Sequence, residues 1–417
     1  MYYPELMNEE ERKIQAEVRQ FVREEVSSDY VRALDKDQIQ YPRDYVEKLA
    51  AKNLLGLRFD PQWGGRGLPW TCEVIVEEEI GVLGTTMGCA YVMPSIVGEA
   101  LHVFGTQEQK EHYLKPILRG ELICAEALTE PRGGSDFFGA TTRAVLEGDR
   151  FLINGQKRFV VGATEADLFL VYCKTNFAED AYKHQRLSTL LVERGPGLKT
   201  EYIYGLLGTR GGGTGRLVFR NVEVPRENLI GGLHGGAAVF NQMMIPERLT
   251  SAAASLGVRA ALEIAARYSD KRRAFGQNIR SFQAVSFMIA DGITQLDAAR
   301  AMVYMAARAV DAGAPNARRL VSQAKKFATD TAWQVVNKAM QVMGGIGYTD
   351  VFPIERMVRD LRLSQIWTGT NEIMNLLIQH EYYQEILADT RNQRDVELDA
   401  GEENAAAEKV FTDRDQQ

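Results

Sequence analysis

The sequence predicts three consecutive parts: an N-terminal all-alpha domain, a middle beta domain and a C-terminal four-helix-bundle domain. Three observations carry this. Apolar residues recur at helical spacing across about 9–120, short extended runs with tight turns fill 121–236, and an alanine-rich helical pattern returns over 237–388. At 417 residues the chain exceeds what one simple core usually holds, so two or three packed units are expected.

In the first part, 1–120, Ile14, Val18, Phe21 and Val22 fall on one helical face, as do Tyr45, Leu49 and Leu54, with Asn53 a polar exception. The stretch 57–68, containing FDPQWGGRG, reads as a turn-rich break. Helices follow at 73–83 and 89–103, and Thr106 with Gln109 three residues on predicts a capping box for the next. In the second part, TRAVLEGDRFLING, ADLFLVYCKT, STLLVERG and GRLVFRNVEVP alternate beta-branched or aromatic residues with polar ones, and 147–150 (EGDR) predicts a hairpin turn. No G-x-G-x-x-G opens a helix after a strand, which disfavours a parallel-sheet nucleotide fold. In the third part small residues let four or five long helices approach closely. The charged tail, 389–417, has too few apolar positions for a core and is expected to be mobile or loosely docked.

Composition narrows the function classes. A net charge of −7 gives no general reason to expect nucleic-acid binding. Cys72, Cys89, Cys124 and Cys173 form no C-x-x-C pair and lack a histidine cluster, so no metal site is expected. Buried reduced thiols fit a cytoplasmic location. The acidic, helical start resembles neither a secretory leader nor a transit peptide, and the longest apolar stretches look too interrupted for a membrane span.

Three motifs stand in order: AEALTEPRGGSD (125–136), KRRAFGQNIRSFQ (271–283) and QVMGGIGYTDVFPIERMVRDLRLSQIWTGTNEIM (341–374). Together with the helix, beta, bundle order, they make the chain resemble the acyl-CoA dehydrogenase family over about 5–388. The resemblance implies a homotetramer, a dimer of dimers, with one FAD per subunit. It also implies an acyl-CoA substrate that loses hydrogens from the carbons alpha and beta to its carbonyl, and electron-transferring flavoprotein as electron acceptor.

The resemblance assigns roles residue by residue. Leu128, Thr129 and Ser135 match contacts to the flavin ring and to the nearby phosphate or acyl-CoA; reduction builds negative charge on the ring, so donors are needed there. Arg272 and Phe275 match positions reaching the FAD of a neighbouring subunit, Gln341, Gly344 and Gly345 match the turn meeting its diphosphate, and Thr370 matches another diphosphate-side hydroxyl. Taken alone, these are also what a surface arginine and a helix-ending Gly-Gly look like. Phe159 matches an aromatic residue beside the flavin. Two residues on, where relatives commonly have a threonine or serine meeting flavin N5, this chain has Val161, and Gly162 follows in place of asparagine.

The base is the main departure. The alpha proton of a thioester is weakly acidic, and its removal needs a carboxylate in a water-poor pocket. Most relatives keep that carboxylate one residue before the Gly-Thr pair, but here IWTGT (366–370) puts Thr368 there, ahead of Gly369. A neutral hydroxyl cannot do the work. The isovaleryl and long-chain branches place a glutamate on the long helix before the family arginine, and 245–248 (IPER) puts Glu247 and Arg248 there. Alone, Glu247 also reads as a helix-start carboxylate after Pro246 at N1. Glu372 is a further, weaker candidate.

For the acyl group, Met87, Tyr91, Met93 and Pro94 fall in the helix that shapes the family pocket, and Trp367 replaces a common tyrosine. Met87 stands where glutaryl-type relatives hold an arginine, while Arg158 and Arg210 remain unplaced charges. A branched, alicyclic or bulky acyl group is favoured. Three other readings stay open: an enoyl-CoA reductase running the same chemistry in reverse, a non-redox acyl-CoA-binding homologue, and an oxygen-reactive flavin relative.

Overall fold

The computed structural model describes residues 3–388, 394 and 396–399. Contacts divide the chain into two compact units, 1–378 and 379–417, and all three sequence segments up to Ile378 belong to the first. The tail expectation falls almost wholly outside the described residues.

The helical part runs α1 (Glu9–Glu24), α2 (Ser28–Asp35), α3 (Arg43–Ala51), α4 (Trp70–Ile80) and α5 (Thr85–Phe104). It closes with an irregular helix whose ends are α6 (Gln107–Gln109) and α7 (Lys115–Leu118), separated by a π turn. Asn8 caps α1 reciprocally with Glu11, and Thr106 does the same with Gln109. Ile14, Val18 and Phe21 of α1 are buried, and α1 packs against α4, every residue of which is buried. Four glutamates on such a helix need partners. Glu73 takes Arg58, Glu78 takes Arg300, and Glu79 takes Arg19 and Arg259. Among the described residues Glu77 has no such cation.

The sheet has eight strands: β1 (Cys124–Ala127), β2 (Arg143–Glu147), β3 (Arg150–Val160), β4 (Leu168–Lys174), β5 (Leu187–Glu193), β6 (Leu198–Ile203), β7 (Gly215–Pro225) and β8 (Leu229–Ile230). Their order is β6-β7-β3-β2-β4-β5-β8, with β1 on β4. Glu147 opposite Arg150 closes the hairpin read from EGDR. The β1–β4 pair is parallel, with Glu126 opposite Leu170. That pairing has no local signal in the sequence.

The bundle comprises α8 (Gly236–Ser255), α9 (Arg259–Lys271), α10 (Gln283–Asp311), α11 (Ala317–Met343) and α12 (Ile354–Ser364), followed by α13 (Asn371–Leu387). A two-stranded hairpin, β9 (Arg273–Ala274) and β10 (Gln277–Asn278), joins α9 to α10. Buried alanines such as Ala252, Ala261, Ala299, Ala328 and Ala332 allow the helices to approach closely. One close approach is glycine on glycine: a methyl on Gly257 would lie 2.2 Å from the Gly81 carbonyl carbon.

Two features correct the sequence reading. Helix α8 begins ten residues before Pro246, so Glu247 is a mid-helix residue and its helix-start alternative falls. Two stretches, Thr85–Phe104 and Gly236–Lys271, are long and apolar enough to cross a membrane, contrary to the interrupted pattern read from sequence, but their most apolar windows are 78% and 67% buried as core helices. All four cysteines are free and buried.

Candidate active site

Helix α8 packs against α4, α5, α11 and β5, at the junction of all three parts. Glu247 sits in its middle, 7% exposed. Burial pushes its carboxyl well above the ordinary carboxylate range. Glu126 pushes the same way, and only Arg248 opposes them. Pro246 has no N–H to give to the preceding turn, which loosens the helix just where Glu247 projects.

The sequence reading missed Glu126. It sits on β1, where side chains alternate between faces, so it points away from the side taken by Ala125 and Ala127. Tyr172, two residues beyond its β4 neighbour Leu170, shares that face. Glu126 faces Glu247 of α8, and the Tyr172 hydroxyl lies against Glu126. Burial first pushes Glu126 up, to about 7, with Tyr172, Glu247 and Lys157 pulling back. Glu126 Oε1, Glu247 Oε1 and the Tyr172 hydroxyl are all buried without a fully formed hydrogen bond. The signal in the sequence was a single carboxylate in the otherwise apolar run CAEA. Aromatic rings close the space beyond Tyr172: Phe137 stacks on Phe240 at 3.9 Å and meets Tyr172 edge-on at 5.2 Å.

The late motif is fastened beside α8. Trp367 Nε1 donates to Ser251 Oγ at 2.9 Å, and Ser251 is one helical turn after Glu247. Lys325 Nζ on α11 donates to the Gly369 carbonyl at 2.8 Å and to Asn371 Oδ1 at 2.9 Å. Burial and neighbouring Arg248 lower Lys325 to about 7. Arg248 donates to Ser322 Oγ at 3.1 Å and to Met244 Sδ at 2.8 Å. Thr368 and Gly369 both take left-handed backbone angles, φ 49° and 83°, a strained choice for threonine. Thr368 Oγ1 is buried without a hydrogen bond. Glu372 is exposed in the first turn of α13, and its carboxyl is lowered by its own backbone and by Thr370. It is not placed to act as a base. A small cavity of about 20 Å³, lined in part by Gly84, Asp360 and Leu361, shares Ser251 and Trp367 with this site.

The Leu128–Thr129 turn is held from behind. Lys157, 0% exposed, donates to the Leu128 carbonyl at 3.1 Å and to Glu130 Oε1 at 2.9 Å, and the Arg158 amide donates to the Thr129 carbonyl at 2.8 Å. A bulge in β3 throws Phe159 outward with φ 57°. Its ring is 49% exposed, 4.8 Å from Tyr204 and under the Arg158 guanidinium. Ser135 is exposed and Val161 half-buried nearby in sequence. A strained, uncovered aromatic ring adjoining a rigidly anchored turn fits a planar cofactor such as a flavin.

The remaining expectations divide. Arg272, Phe275, Gln341, Gly344 and Gly345 are exposed, Phe275 at 94% with φ 49°. A methyl on Gly344 or Gly345 would meet nothing within 4 Å. Among the described residues no hydrogen bond or ring contact joins this group to the Thr129 turn. Thr370 Oγ1 accepts from the Ile373 amide at 3.3 Å and starts α13. Met87 and Tyr91 are buried on α5, with Met93 half-buried. The Tyr91 hydroxyl is buried without a hydrogen bond, and burial followed by the Glu73 and Glu77 charges raises its pKa, while Met87 lines a small cavity with Thr86 and Arg210. Arg210 Nε is held by the Leu206 carbonyl at 3.2 Å.

Comparison with known proteins identifies the family. Family models of the acyl-CoA dehydrogenase N-terminal, middle and C-terminal domains match residues 8–121, 125–222 and 234–383. A cyclohex-1-ene-1-carbonyl-CoA dehydrogenase of Geobacter metallireducens is 36% identical over 356 residues, 83% of this chain and 91% of its own. A caffeyl-CoA reductase–Etf complex subunit of Acetobacterium woodii is 33% identical over 374 residues, 89% of this chain and 97% of its own. The solved structure of butyryl-CoA dehydrogenase from Megasphaera elsdenii has a TM-score of 0.86 at 28% identity, covering 92% of this chain and 100% of that one.

Proposed function

The chain belongs to the acyl-CoA dehydrogenase family and is an FAD-dependent oxidoreductase, and on that premise we propose that it dehydrogenates an acyl-CoA thioester with Glu247 as the base. The observation that carries the assignment is Glu247 itself: buried in the middle of α8, one turn from the residue that anchors Trp367, with threonine where a late carboxylate is otherwise expected. An apolar surround raises a carboxyl's proton affinity, which suits it to a weakly acidic C–H.

When bound, FAD accepts the beta hydrogen as hydride. The chain's own residues do the rest. Glu247 takes the alpha proton, and the Gly369 segment, pinned by Lys325, is the wall on which the thioester oxygen is positioned. Trp367 and the Ser251 face exclude water. Leu128, Thr129, Ser135, Phe159, Val161 and Thr370 would hold the flavin from one chain, and Arg272, Phe275, Gln341, Gly344 and Gly345 would complete it from a second copy. The full exposure of Phe275 supports that division, because an uncovered aromatic ring at a strained backbone position favours a partner surface. This gives a homotetramer, a dimer of dimers, in which FAD binding depends on assembly.

A branched, alicyclic or bulky acyl group is the proposed substrate, because a base carried on α8 in place of one at Thr368 frees room beside the reacting carbons. Electron-transferring flavoprotein is the proposed redox partner, since the Acetobacterium relative is named as part of an Etf complex. Free buried thiols fit a reducing compartment such as the cytoplasm. A second reading, the enoyl-CoA reductase direction, draws on one observation: with Glu126 facing it, Glu247 favours the protonated form and is ready to donate.

The test is anaerobic mixing of oxidised holoprotein with straight, branched and cyclic acyl-CoAs while flavin absorbance is followed. Bleaching fastest with branched or cyclic thioesters is the expected result. No bleaching by any thioester, with reoxidation of the reduced flavin by enoyl-CoA, would establish the reverse direction. Binding without either change would leave a non-redox homologue.

A further inference from the structure

We propose that Glu126 and Glu247 act as one carboxyl pair holding a single proton, with Glu126 the positioning residue that takes up that proton when Glu247 receives another from carbon. The inference rests on Glu247 being the base. It arises from three side chains on three separate elements: the parallel register puts Glu126 of β1 and Tyr172 of β4 on one face of the sheet, and Glu247 of α8 meets Glu126 there. Each carries a buried polar oxygen without a fully formed hydrogen bond.

Two carboxylates in contact away from water cannot both stay ionised, so one proton remains between them. Other ionisable groups around the pair are committed elsewhere. Lys157 of β3 acts on Glu126 from a distance but is bonded to Glu130 and the Leu128 carbonyl. Arg248 of α8 acts on Glu247 while donating to Ser322 and Met244. From α5, Tyr91 is raised by burial and by the Glu73 and Glu77 charges, and Glu99 is held by Arg58 and Gln242. Lys325 of α11 is bonded to Gly369 and Asn371. The pair therefore carries one negative charge, with Tyr172 as the nearest donor to its Glu126 end.

The step balances. An oxygen of Glu247 accepts the alpha proton, and the electrons of that C–H bond form the new carbon–carbon double bond as the beta hydrogen leaves as hydride to the bound FAD. The proton already shared by the pair settles on Glu126. The pair passes from one negative charge to none, and the flavin carries the added electrons. In the opposite direction the neutral pair returns one proton to carbon. A single proton on the pair leaves it able both to accept and to donate.

The experiment follows single-turnover flavin reduction of the holoenzyme against pH for wild type, Glu126→Gln and Glu247→Gln. A glutamine at 126 removes the neighbouring negative charge, so Glu247 holds its proton less tightly. The acid limb of the rate profile should move to lower pH by about one unit or more, roughly a tenfold gain in relative rate on that limb. A lower rate with an unmoved limb would mean Glu126 only supports the fold, and would overturn the pair. Should Glu126→Gln fail to fold, infrared titration of wild-type carboxyls against Glu247→Gln decides the matter. Two separated protonation steps that collapse to one in the variant support the pair; a single step at the ordinary carboxylate pH overturns it. Normal flavin reduction in Glu247→Gln would instead remove the base assignment itself.

Discussion

Glu126 and Glu130 lie four residues apart on one short segment, yet the fold treats them in opposite ways. Glu130 accepts from Lys157 Nζ at 2.9 Å, from the Thr141 amide at 2.6 Å and hydroxyl at 2.7 Å, and from the Thr142 amide at 2.9 Å. Against the upward push of burial these donors bring it down to about 2. Glu126 meets another carboxyl and a tyrosine, and burial drives it up to about 7. A carboxylate that braces a turn is surrounded by donors, whereas one offered for proton transfer is left short of them. The helical part repeats the first pattern at Arg58, which ion-pairs Glu73 at 2.6 Å and Glu99 at 2.7 Å under the ring of Trp70. Glu77 is an exception, buried without a cation and raised by burial and Glu73, with no part in the chemistry described.

The contrast is broken most severely at Lys157. Lys157→Met leaves Glu130 buried without its cation and should cost about 3–5 kcal/mol. Thermal unfolding should show a clear drop in Tm, and the holoprotein should release flavin more readily because the Leu128–Thr129 turn loses its brace. Arg58→Met should cost a similar amount, read by denaturant midpoint, while the pH profile of flavin reduction stays where it was. If that profile moved, the separation between bracing and reacting carboxylates would be wrong.

Glu126→Gln should act in the other direction on stability. The folded-state affinity of Glu126 for its proton is raised, from the ordinary 4.5 to about 7. The folded form therefore binds more protons than the unfolded one in that interval, and wild-type stability falls as pH rises through it. A glutamine carries no such penalty. The Tm gain of the variant should be near zero at the acid end and grow to a few degrees above pH 7, and a gain that shrank with rising pH would contradict the sign. The smallest effect belongs to Thr368→Gly, which relieves a left-handed threonine and should raise stability by about 1 kcal/mol, measurable as a small shift in the unfolding midpoint.

Much of this was legible in the chain. Periodicity separates helix, sheet and bundle because each part keeps one repeat over long stretches, and the paired change at Glu247 and Thr368 points to the proposed base. The helical pattern returning at residue 237 matches the start of α8 at Gly236, but α5 begins at Thr85 and not at Cys89, and α8 runs straight through Pro246, where local rules place a start. Long tertiary packing along α8 outweighs one missing backbone hydrogen bond. Glu126 was illegible because CAEA is too short to show alternation, and its parallel partner strand and facing helix are distant in sequence.

The most direct measurement is rapid anaerobic mixing of Glu247→Gln holoenzyme with a thioester that bleaches the wild-type flavin. The account predicts full FAD content, retained thioester binding and a bleaching rate lower by about 10³-fold or more. Bleaching within a fewfold of wild type would contradict it.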